Sequence, residues 1–350
     1  MLKIPLTAHH LRFHGWARTP ITFHDYTVSA LRGALTSYLR AAFCPRGQQM
    51  QNDLLHQTLC PVCRLLSLEN DGSIDGDIRR PYALEPLPEQ PTQIEAGQPF
   101  SFGLAIYGED ELLIQFLLVA AGGMGELGVG RVQPDGARGR LEIVQIDVVN
   151  PLTGAAECVM APGERQVRAD WQSLGHAQVL ARAEALAADL AAGDNLLQVD
   201  FLTPTRVMQN QHKWSKPDFF PLAKLIVQRV LDLSSQFGGG RPMLAGEPVA
   251  LKRDIYPYAD AVRLVANETR WWDVHGYSSR VGRKQVLGGL VGRAVYQTAD
   301  WRPLLPWLLW ATSTHVGKNA VKGCGMVRLR AISASCGENG IIVGNSGRDS

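Results

Sequence analysis

Apolar and polar residues divide the first 150 residues of the chain into six predicted elements. Apolar positions alternate with polar ones over residues 3–13, which is typical of a strand with one buried face. Between residues 26 and 43 the apolar side chains recur every three or four positions, which predicts a helix. Further along, the pattern predicts strands at 81–87 and 99–107, an apolar helix at 109–121 and a strand at 140–149. The predicted order is βαββαβ.

The second half repeats this order. Strands are predicted at 196–202, 261–266, 286–296 and 326–332, and helices at 217–237 and 301–312. This is the order of the split βαβ, or ferredoxin-like, unit. We therefore predict an α+β protein with two tandem ferredoxin-like (RRM-like) βαββαβ domains. The predicted boundaries are 1–150 for the first domain, with a cysteine-bearing insert at about 44–70, 151–195 for a linker with a helix at 176–192, 196–332 for the second domain and 333–350 for a flexible tail.

Length and composition agree with two folded domains. The chain has 350 residues, of which 45% are hydrophobic, enough for two buried cores. No apolar run reaches the roughly 20 residues that span a bilayer, so we expect no membrane segment. The first residues lack the core of a signal peptide, which predicts a cytoplasmic protein. The six cysteines are too few for a disulfide framework at this length.

Charge is distributed unevenly along the chain. The net charge is only +2, but residues 201–330 hold 19 Lys and Arg against 8 Asp and Glu, a net charge of +11. A concentrated positive field attracts a polyanion. Aromatic side chains in the same half offer surfaces on which RNA bases stack. A solvated basic face with core aromatics is the alternative interpretation.

Two glycine-rich segments occupy equivalent places, each between an apolar helix and a final strand. They cover residues 122–131 and 315–325. Glycine lets successive backbone amides face phosphate oxygens, and His315, Lys318 and Lys322 add cations to the second segment. Neither segment is a Walker loop or a dinucleotide fingerprint, because both follow helices rather than strands. We predict that the second segment binds a phosphate backbone; a flexible connection is the alternative.

The cysteines of the first half form one cluster in sequence. Cys60 and Cys63 make a CxxC pair, and Cys44 and His56 lie upstream. Together the four side chains would make a Cys3His zinc site, a common structural type. Two buried thiols are the alternative, and a redox CxxC is disfavoured because no thioredoxin-like unit surrounds it.

Five stretches resemble one known family. The turn HVGKNAVKGCGMVRL and its preceding helix WRPLLPWLLWA resemble the signature glycine-rich loop of the RAMP superfamily, and more closely that of the CRISPR-associated endoribonucleases that process precursor CRISPR RNA. FLTPTRV resembles the opening strand of that family's second domain, and WWDVHGYSSRVGRKQVLGGLVGRAVY its block with a Tyr-Ser-x-Arg core. SALRGAL and LCPVCRLL fit the first helix and its insert. The resemblance implies two ferredoxin-like domains that cleave CRISPR repeat RNA and then stay bound to the product within an effector complex.

The resemblance also implies a reaction and its residues. The 2′-hydroxyl of the RNA attacks the adjacent phosphate without a metal, and the protein supplies a proton acceptor, a proton donor and cations. The family's catalytic histidine lies in or just after the first helix, which makes His24 and His56 candidates, and His275 is a third. Tyr26 would assist by hydrogen bonding and Arg32 would hold phosphate. A position before a helix favours the neutral form of His24 as the base. The predicted RNA contacts are His315, Gly317, Lys318, Lys322, Gly323, Gly325, Tyr277, Arg280, Arg283 and Lys284.

Two other classes of protein compete with this interpretation. A non-catalytic RNA-binding subunit of the same superfamily would share the fold, the glycine-rich loop and the basic half. A metal-binding module without nucleic acid is disfavoured by the net charge of +11. His56 cannot both ligate zinc and act as a base, so those two predictions exclude each other. We expect no cofactor in catalysis, a structural zinc ion as the one metal candidate, and CRISPR RNA and effector subunits as partners.

Overall fold

The N-terminal half is a ferredoxin-like sandwich of helices on one antiparallel sheet. A computed structural model of the chain describes residues 1–24, 26–46, 54–67, 78–86, 91–209, 212–213, 216–278, 283–337 and 340–344. The elements of this half are β1 (Ala8–Ala17), α1 (Thr27–Phe43), α2 (Leu54–Leu59), α3 (Pro61–Ser67), β2 (Tyr82–Glu85), β3 (Pro99–Tyr107), α4 (Glu111–Leu127), β4 (Leu141–Val149) and β5 (Ala156–Met160). The order in the sheet is β5-β4-β1-β3-β2. Phe13 of β1 pairs with Phe102 and Ile146, and the two phenyl rings stack at 4.9 Å.

The C-terminal half repeats the same architecture. Its elements are α5 (His176–Ala192), β6 (Leu196–Thr205), α6 (Phe219–Phe237), α7 (Leu251–Asp254), α8 (Tyr256–Asp260), β7 (Arg263–Trp272), β8 (Gly289–Gln297), α9 (Leu305–Thr314), a 3₁₀ turn (Ala320–Lys322), β9 (Val327–Gly337) and β10 (Gly340–Gly344). The sheet order is β7-β8-β6-β9-β10. In both sheets the first strand of the unit lies between the third and the fourth. The prediction of two tandem ferredoxin-like domains is confirmed.

Short strands pair outside the two large sheets, and one set of them joins the halves. Leu2–Lys3 pairs with Met243–Leu244, so the amino terminus is held by the second half of the chain. The remaining short strands are Ile21–Thr22, Gln93–Ile94, Val129–Val132, Arg138–Gly139, Met208–Gln209, His212–Lys213, Glu247–Pro248, His275–Ser278 and Arg283–Val286.

Three segments differ from the sequence prediction. The first glycine-rich segment is helical through Leu127, because α4 continues past the predicted end at residue 121. A Cβ atom on Gly125 would lie 2.0 Å from the carbonyl oxygen of Leu141, so this glycine lets the helix lie close against β4. Residues 156–160, predicted as linker, add an edge strand to the first sheet. Residues 333–337, predicted as part of a flexible tail, extend β9 and pair with β10.

The two halves share their hydrophobic cores. Ala83, Ala105 and Tyr107 of the first sheet are buried with α5, α6 and α9 of the second half. In the other direction, Val274 and Leu287 from the second half are buried in the core around α1 and α4. The halves therefore meet through a continuous apolar interface. No helix in the described part of the chain combines the length and apolar character needed to cross a membrane.

Candidate functional site

The start of α1 and the second glycine-rich segment meet at the interface between the halves. Gly323 has a φ of +73°, and a Cβ atom there would lie 2.7 Å from the carbonyl oxygen of Leu84 and 3.3 Å from Val28. Glycine is therefore required, both for the left-handed backbone and for the close approach of the loop to α1. This contact brings side chains of α1 and of the loop together.

Arg32 on α1 and Lys322 on the loop form a pair of cations from the two halves. Lys322 is 7% exposed, and burial together with the nearby Arg32 lowers its pKa to about 8. A lysine with such a pKa is mostly charged at neutral pH and yet releases its proton far more readily than an exposed lysine. The pair can hold phosphate oxygens, and Lys322 can also donate a proton.

Tyr26 lies close to Cys324 of the same loop. It directly precedes α1, and its ring packs edge-on against Trp272 at 6.2 Å. Burial, reinforced by the neighbouring Cys324, raises the pKa of the Tyr26 phenol well above its ordinary value. The hydroxyl therefore stays protonated at neutral pH, which limits it to hydrogen bonding and excludes the role of a base.

His275 lies beside the first turn of α1. It begins a short strand that pairs with Arg283–Val286, and the flanking Val274 and Leu287 anchor this pair in the core. A Cβ atom on the next residue, Gly276, would lie 2.7 Å from the hydroxyl oxygen of Ser29. Because side chains alternate along a strand, the imidazole of His275 lies on the face opposite Val274 and Gly276, where it is exposed. An exposed histidine on a strand that packs against α1 is a candidate for proton transfer on a bound phosphodiester.

The other two predicted catalytic histidines lie elsewhere. His24 is exposed, and its Nδ1 accepts a hydrogen bond of 3.0 Å from Nε of Arg131, next to the first glycine-rich segment. His56 lies 3.3 Å from the sulfur of Cys44, so the structure places it in the cysteine cluster. The nitrogen and sulfur atoms of Cys44, His56, Cys60 and Cys63 all lie within 4.8 Å of one another. The predicted metal ligands are therefore together in space.

His315 does not face solvent, and this corrects its predicted role as an RNA contact. It is 0% exposed with a φ of +63°, and its Nε2 lies 3.2 Å from Oε1 of Glu85. His10 approaches the same oxygen at 3.2 Å and contacts the hydroxyl of Ser313 at 2.7 Å. Burial alone would raise the pKa of Glu85. The opposite effect of His10 and His315 is larger than that of burial, and it holds the pKa of Glu85 far below its usual range. A carboxylate from the first half thus binds histidines of both halves.

The backbone amides of the second glycine-rich segment are also largely occupied. The amides of Val316, Lys318 and Gly325 donate to the carbonyls of Gly325, Arg206 and Pro204. Those of Lys322, Gly323 and Cys324 donate within the 3₁₀ turn. These amides therefore do not form the predicted phosphate cradle, because they hold the loop in shape. Gly323 and Gly325 are buried, Gly317 is half-buried, and Lys318 is exposed.

The remaining predicted RNA contacts belong to the short strands His275–Ser278 and Arg283–Val286 and to the residues between them. Tyr277 pairs with Lys284 and Ser278 with Arg283 in the backbone of the two short strands. Arg280 lies outside the described residues. This strand pair continues from His275, so the predicted basic segment starts beside α1.

Comparison with sequence families covers most of the chain. Residues 6–172 match the N-terminal domain family AF_1859_N, and residues 199–327 match the family described as CRISPR-associated endoribonuclease Cas6. The second match includes His275, the glycine-rich segment and Lys322. No curated protein matches the chain in sequence.

Comparison with solved structures finds the same fold. The product complex of Thermus thermophilus Cas6 (TTHB231) has a TM-score of 0.53 at 13% identity, with 93% of this chain and 99% of that chain covered. A partial Cas6-RT-Cas1–Cas2 complex has a TM-score of 0.56 at 11% identity, with 97% of this chain covered but only 48% of that longer one. Residues 199–327 therefore match the Cas6 endoribonuclease family in sequence, and the chain shares the fold of these structures.

Proposed function

We propose that the chain cleaves CRISPR repeat RNA, the precursor of CRISPR RNA, by attack of a 2′-hydroxyl on the adjacent phosphate. The observation that carries this proposal is the pairing of Arg32 with Lys322, in a chain whose residues 199–327 match the Cas6 family. Cations from both halves meet at α1, and the strand that begins at the exposed His275 packs against the first turn of the same helix. A phosphodiester in this place would have charge stabilisation and proton transfer within reach.

The proposed reaction uses side chains only. His275 takes the proton of the 2′-hydroxyl, whose oxygen bonds to phosphorus as the bond to the 5′-oxygen breaks. Lys322 gives its proton to the leaving 5′-oxygen, and Arg32 stabilises the negative charge on the phosphate. The products are a 2′,3′-cyclic phosphate and a 5′-hydroxyl. The pKa of about 8 suits Lys322 to this work near neutral pH.

The cations around the candidate site also support the proposed partners. Exposed Lys318 and the basic segment that starts at His275 would contact the RNA backbone on either side of the cleaved phosphate. We propose that the product remains bound there and is passed to other subunits of a CRISPR effector complex. The cytoplasm is the compartment in which this RNA would be met.

Incubation with a CRISPR repeat transcript in EDTA tests the proposal. We expect a single cut, and a product that carries a 2′,3′-cyclic phosphate. His275→Ala and Lys322→Ala should each slow the cut on the order of a hundredfold, as expected for loss of an acid–base group. His24→Ala is the matched control on an exposed histidine. If His24→Ala abolishes the cut and His275→Ala leaves it unchanged, the proton transfer belongs to His24 instead.

A non-catalytic RNA-binding subunit is the second candidate function. His56 lies in the cysteine cluster and His24 contacts Arg131, which leaves His275 as the candidate acid–base histidine. Tight binding of the repeat transcript without any cut, with or without Mg²⁺, would establish this alternative. Absence of binding even at low salt, where phosphate contacts are strongest, would contradict both functions.

A further inference from the structure

Three potential metal ligands lie on one face of the α2–α3 segment. The amide of Cys60 donates to the carbonyl of His56 at 2.8 Å, and that of Arg64 donates to Cys60 at 2.8 Å. Helical hydrogen bonding therefore continues across the boundary between the two helices. His56, Cys60 and Cys63 follow one another at the spacings i, i+4 and i+7, which places them on the same side of a helix. The local fold thus presents one imidazole and two thiols in a row.

The fourth ligand comes from the end of α1. Cys44 is the residue that terminates this helix, and its amide donates to the carbonyl of Arg40. Its sulfur lies 3.3 Å from Nε2 of His56 and 3.7 Å from the sulfur of Cys63. The three cysteines are buried, with at most 8% of each exposed. Cys44 therefore completes a group of four donors from two separate parts of the chain.

The separations fit the edges of a zinc tetrahedron. With Zn–S bonds of about 2.3 Å and Zn–N bonds of about 2.0 Å, sulfur atoms lie about 3.8 Å apart and sulfur lies about 3.5 Å from nitrogen. The measured distances of 3.7 Å and 3.3 Å agree with these values. A disulfide requires sulfur atoms about 2.05 Å apart, so Cys44 and Cys63 are not bonded. Thiols that serve only as small apolar side chains would not be expected to surround a polar imidazole nitrogen.

We propose that Cys44, His56, Cys60 and Cys63 bind one zinc ion with a structural role. Three thiolates and an imidazole form a donor set that selects Zn²⁺ over the hard cations Mg²⁺ and Ca²⁺. Four protein ligands leave no open position for water or substrate, which separates the ion from the RNA chemistry. The proposal therefore goes beyond the proposed function and does not depend on it.

The ion would connect two separate parts of the chain. It joins the end of α1, whose start carries the candidate site, to the short helices α2 and α3. Val62, Leu65 and Leu66 on these helices pack into the first core. The same helices form one wall of a cavity of about 1240 Å³ between the halves of the chain. Zinc would fix that wall and the carboxyl end of α1.

Metal analysis of the full chain tests the proposal. After purification without added metal and dialysis against metal-free buffer, we expect one zinc ion per chain. Cys60→Ser and Cys63→Ser should lose the bound zinc, whereas Cys158→Ser, at an exposed cysteine outside the cluster, should keep it. Co²⁺ bound to the apoprotein should give the visible absorption of a tetrahedral thiolate site, and Cys158→Ser should give the same spectrum. A chain that is free of zinc, takes up no Co²⁺ and keeps its Tm after treatment with a strong chelator would overturn the proposal.

Two further readouts separate the zinc site from misfolding and from catalysis. If the serine variants are insoluble, thermal unfolding of the unaltered chain still decides, because zinc removal should lower Tm and zinc addition should restore it. An unchanged Tm contradicts the site. Cleavage with a cyclic phosphate product should depend on Lys322 in the zinc-loaded chain, so failure of the cut with zinc present contradicts the proposed function alone.

Discussion

Replacing Lys322 with methionine should make the protein more stable and nearly inactive. Lys322 is almost fully buried, and burial and Arg32 lower its pKa from 10.5 to about 8. Taken at face value, this shift corresponds to about 3 kcal/mol of unfavourable free energy for the charged lysine. Residual solvent around the ammonium group reduces the figure, and we expect a gain of about 1–2 kcal/mol in the free energy of unfolding at pH 7 for Lys322→Met. Methionine keeps the length of the side chain without its charge.

The expected gain in stability of Lys322→Met depends on pH. The folded protein binds the Lys322 proton less tightly than the unfolded chain, so the cost of the charged lysine is complete below pH 8. Between pH 8 and about 10.5 the folded form loses that proton first, and the cost declines to zero. The advantage of Lys322→Met should therefore be largest at pH 7 and should shrink by pH 9.5.

Urea denaturation at pH 7 and pH 9.5, together with the cleavage assay, measures both effects. Lys318→Met is the matched control, because Lys318 belongs to the same loop but is exposed. It should leave stability within about 0.5 kcal/mol at both pH values. If Lys322→Met proves destabilising, or equally stabilising at pH 7 and pH 9.5, then the charge on Lys322 does not destabilise the folded protein.

The remaining predictions concern the interface and the loop. Glu85→Gln keeps the size of the side chain but removes the charge shared by His10 and His315; it should lower the free energy of unfolding by about 2 kcal/mol at pH 7, measured in urea. Because the pKa of Glu85 is depressed in the folded state, its contribution is complete above pH 4.5 and is lost as the pH falls, so acid unfolding followed by circular dichroism should begin less steeply in Glu85→Gln. Gly325→Ala should cost about 3 kcal/mol or give insoluble protein, since φ is +80° and the new Cβ would lie 1.9 Å from the carbonyl oxygen of Val316. Lys318→Ala should reduce the slope of log affinity for repeat RNA against log salt by about 1; an unchanged slope would remove Lys318 from the RNA interface.

The fold was predictable because its signal is local. Alternation along β1 and β3 and helical spacing in α1 depend on neighbouring residues, and their repetition in the second half fixes the duplicated order. The first glycine-rich segment was predicted wrongly, as a turn, although most of it belongs to helix α4. Glycine permits both a turn and a closely packed helix, and the choice depends on distant neighbours: a Cβ atom on Gly123 would lie 2.5 Å from the ring of Tyr38.

The candidate site was only partly predictable, because its members lie far apart in sequence. The four cysteine and histidine ligands are close in the chain and were found by spacing. Arg32 and Lys322 were each found as cations of a motif, but their pairing across the halves has no local signal. Glu85 was missed altogether, since a single acid at the end of a strand does not show that it will bind His10 and His315.

The buried contact of Glu85 explains how a site made from two halves stays aligned. His315 ends α9 and is followed directly by the loop that carries Lys322, while Glu85 ends the strand whose Leu84 carbonyl contacts Gly323 of that loop. The contact between Glu85 and His315 and the contact at Gly323 therefore hold the same loop at two adjacent points against the first half. A displacement of about 1 Å between catalytic groups is enough to reduce a rate markedly. Glu85→Gln should consequently slow cleavage at saturating RNA more than it weakens binding, although Glu85 is buried and touches no substrate.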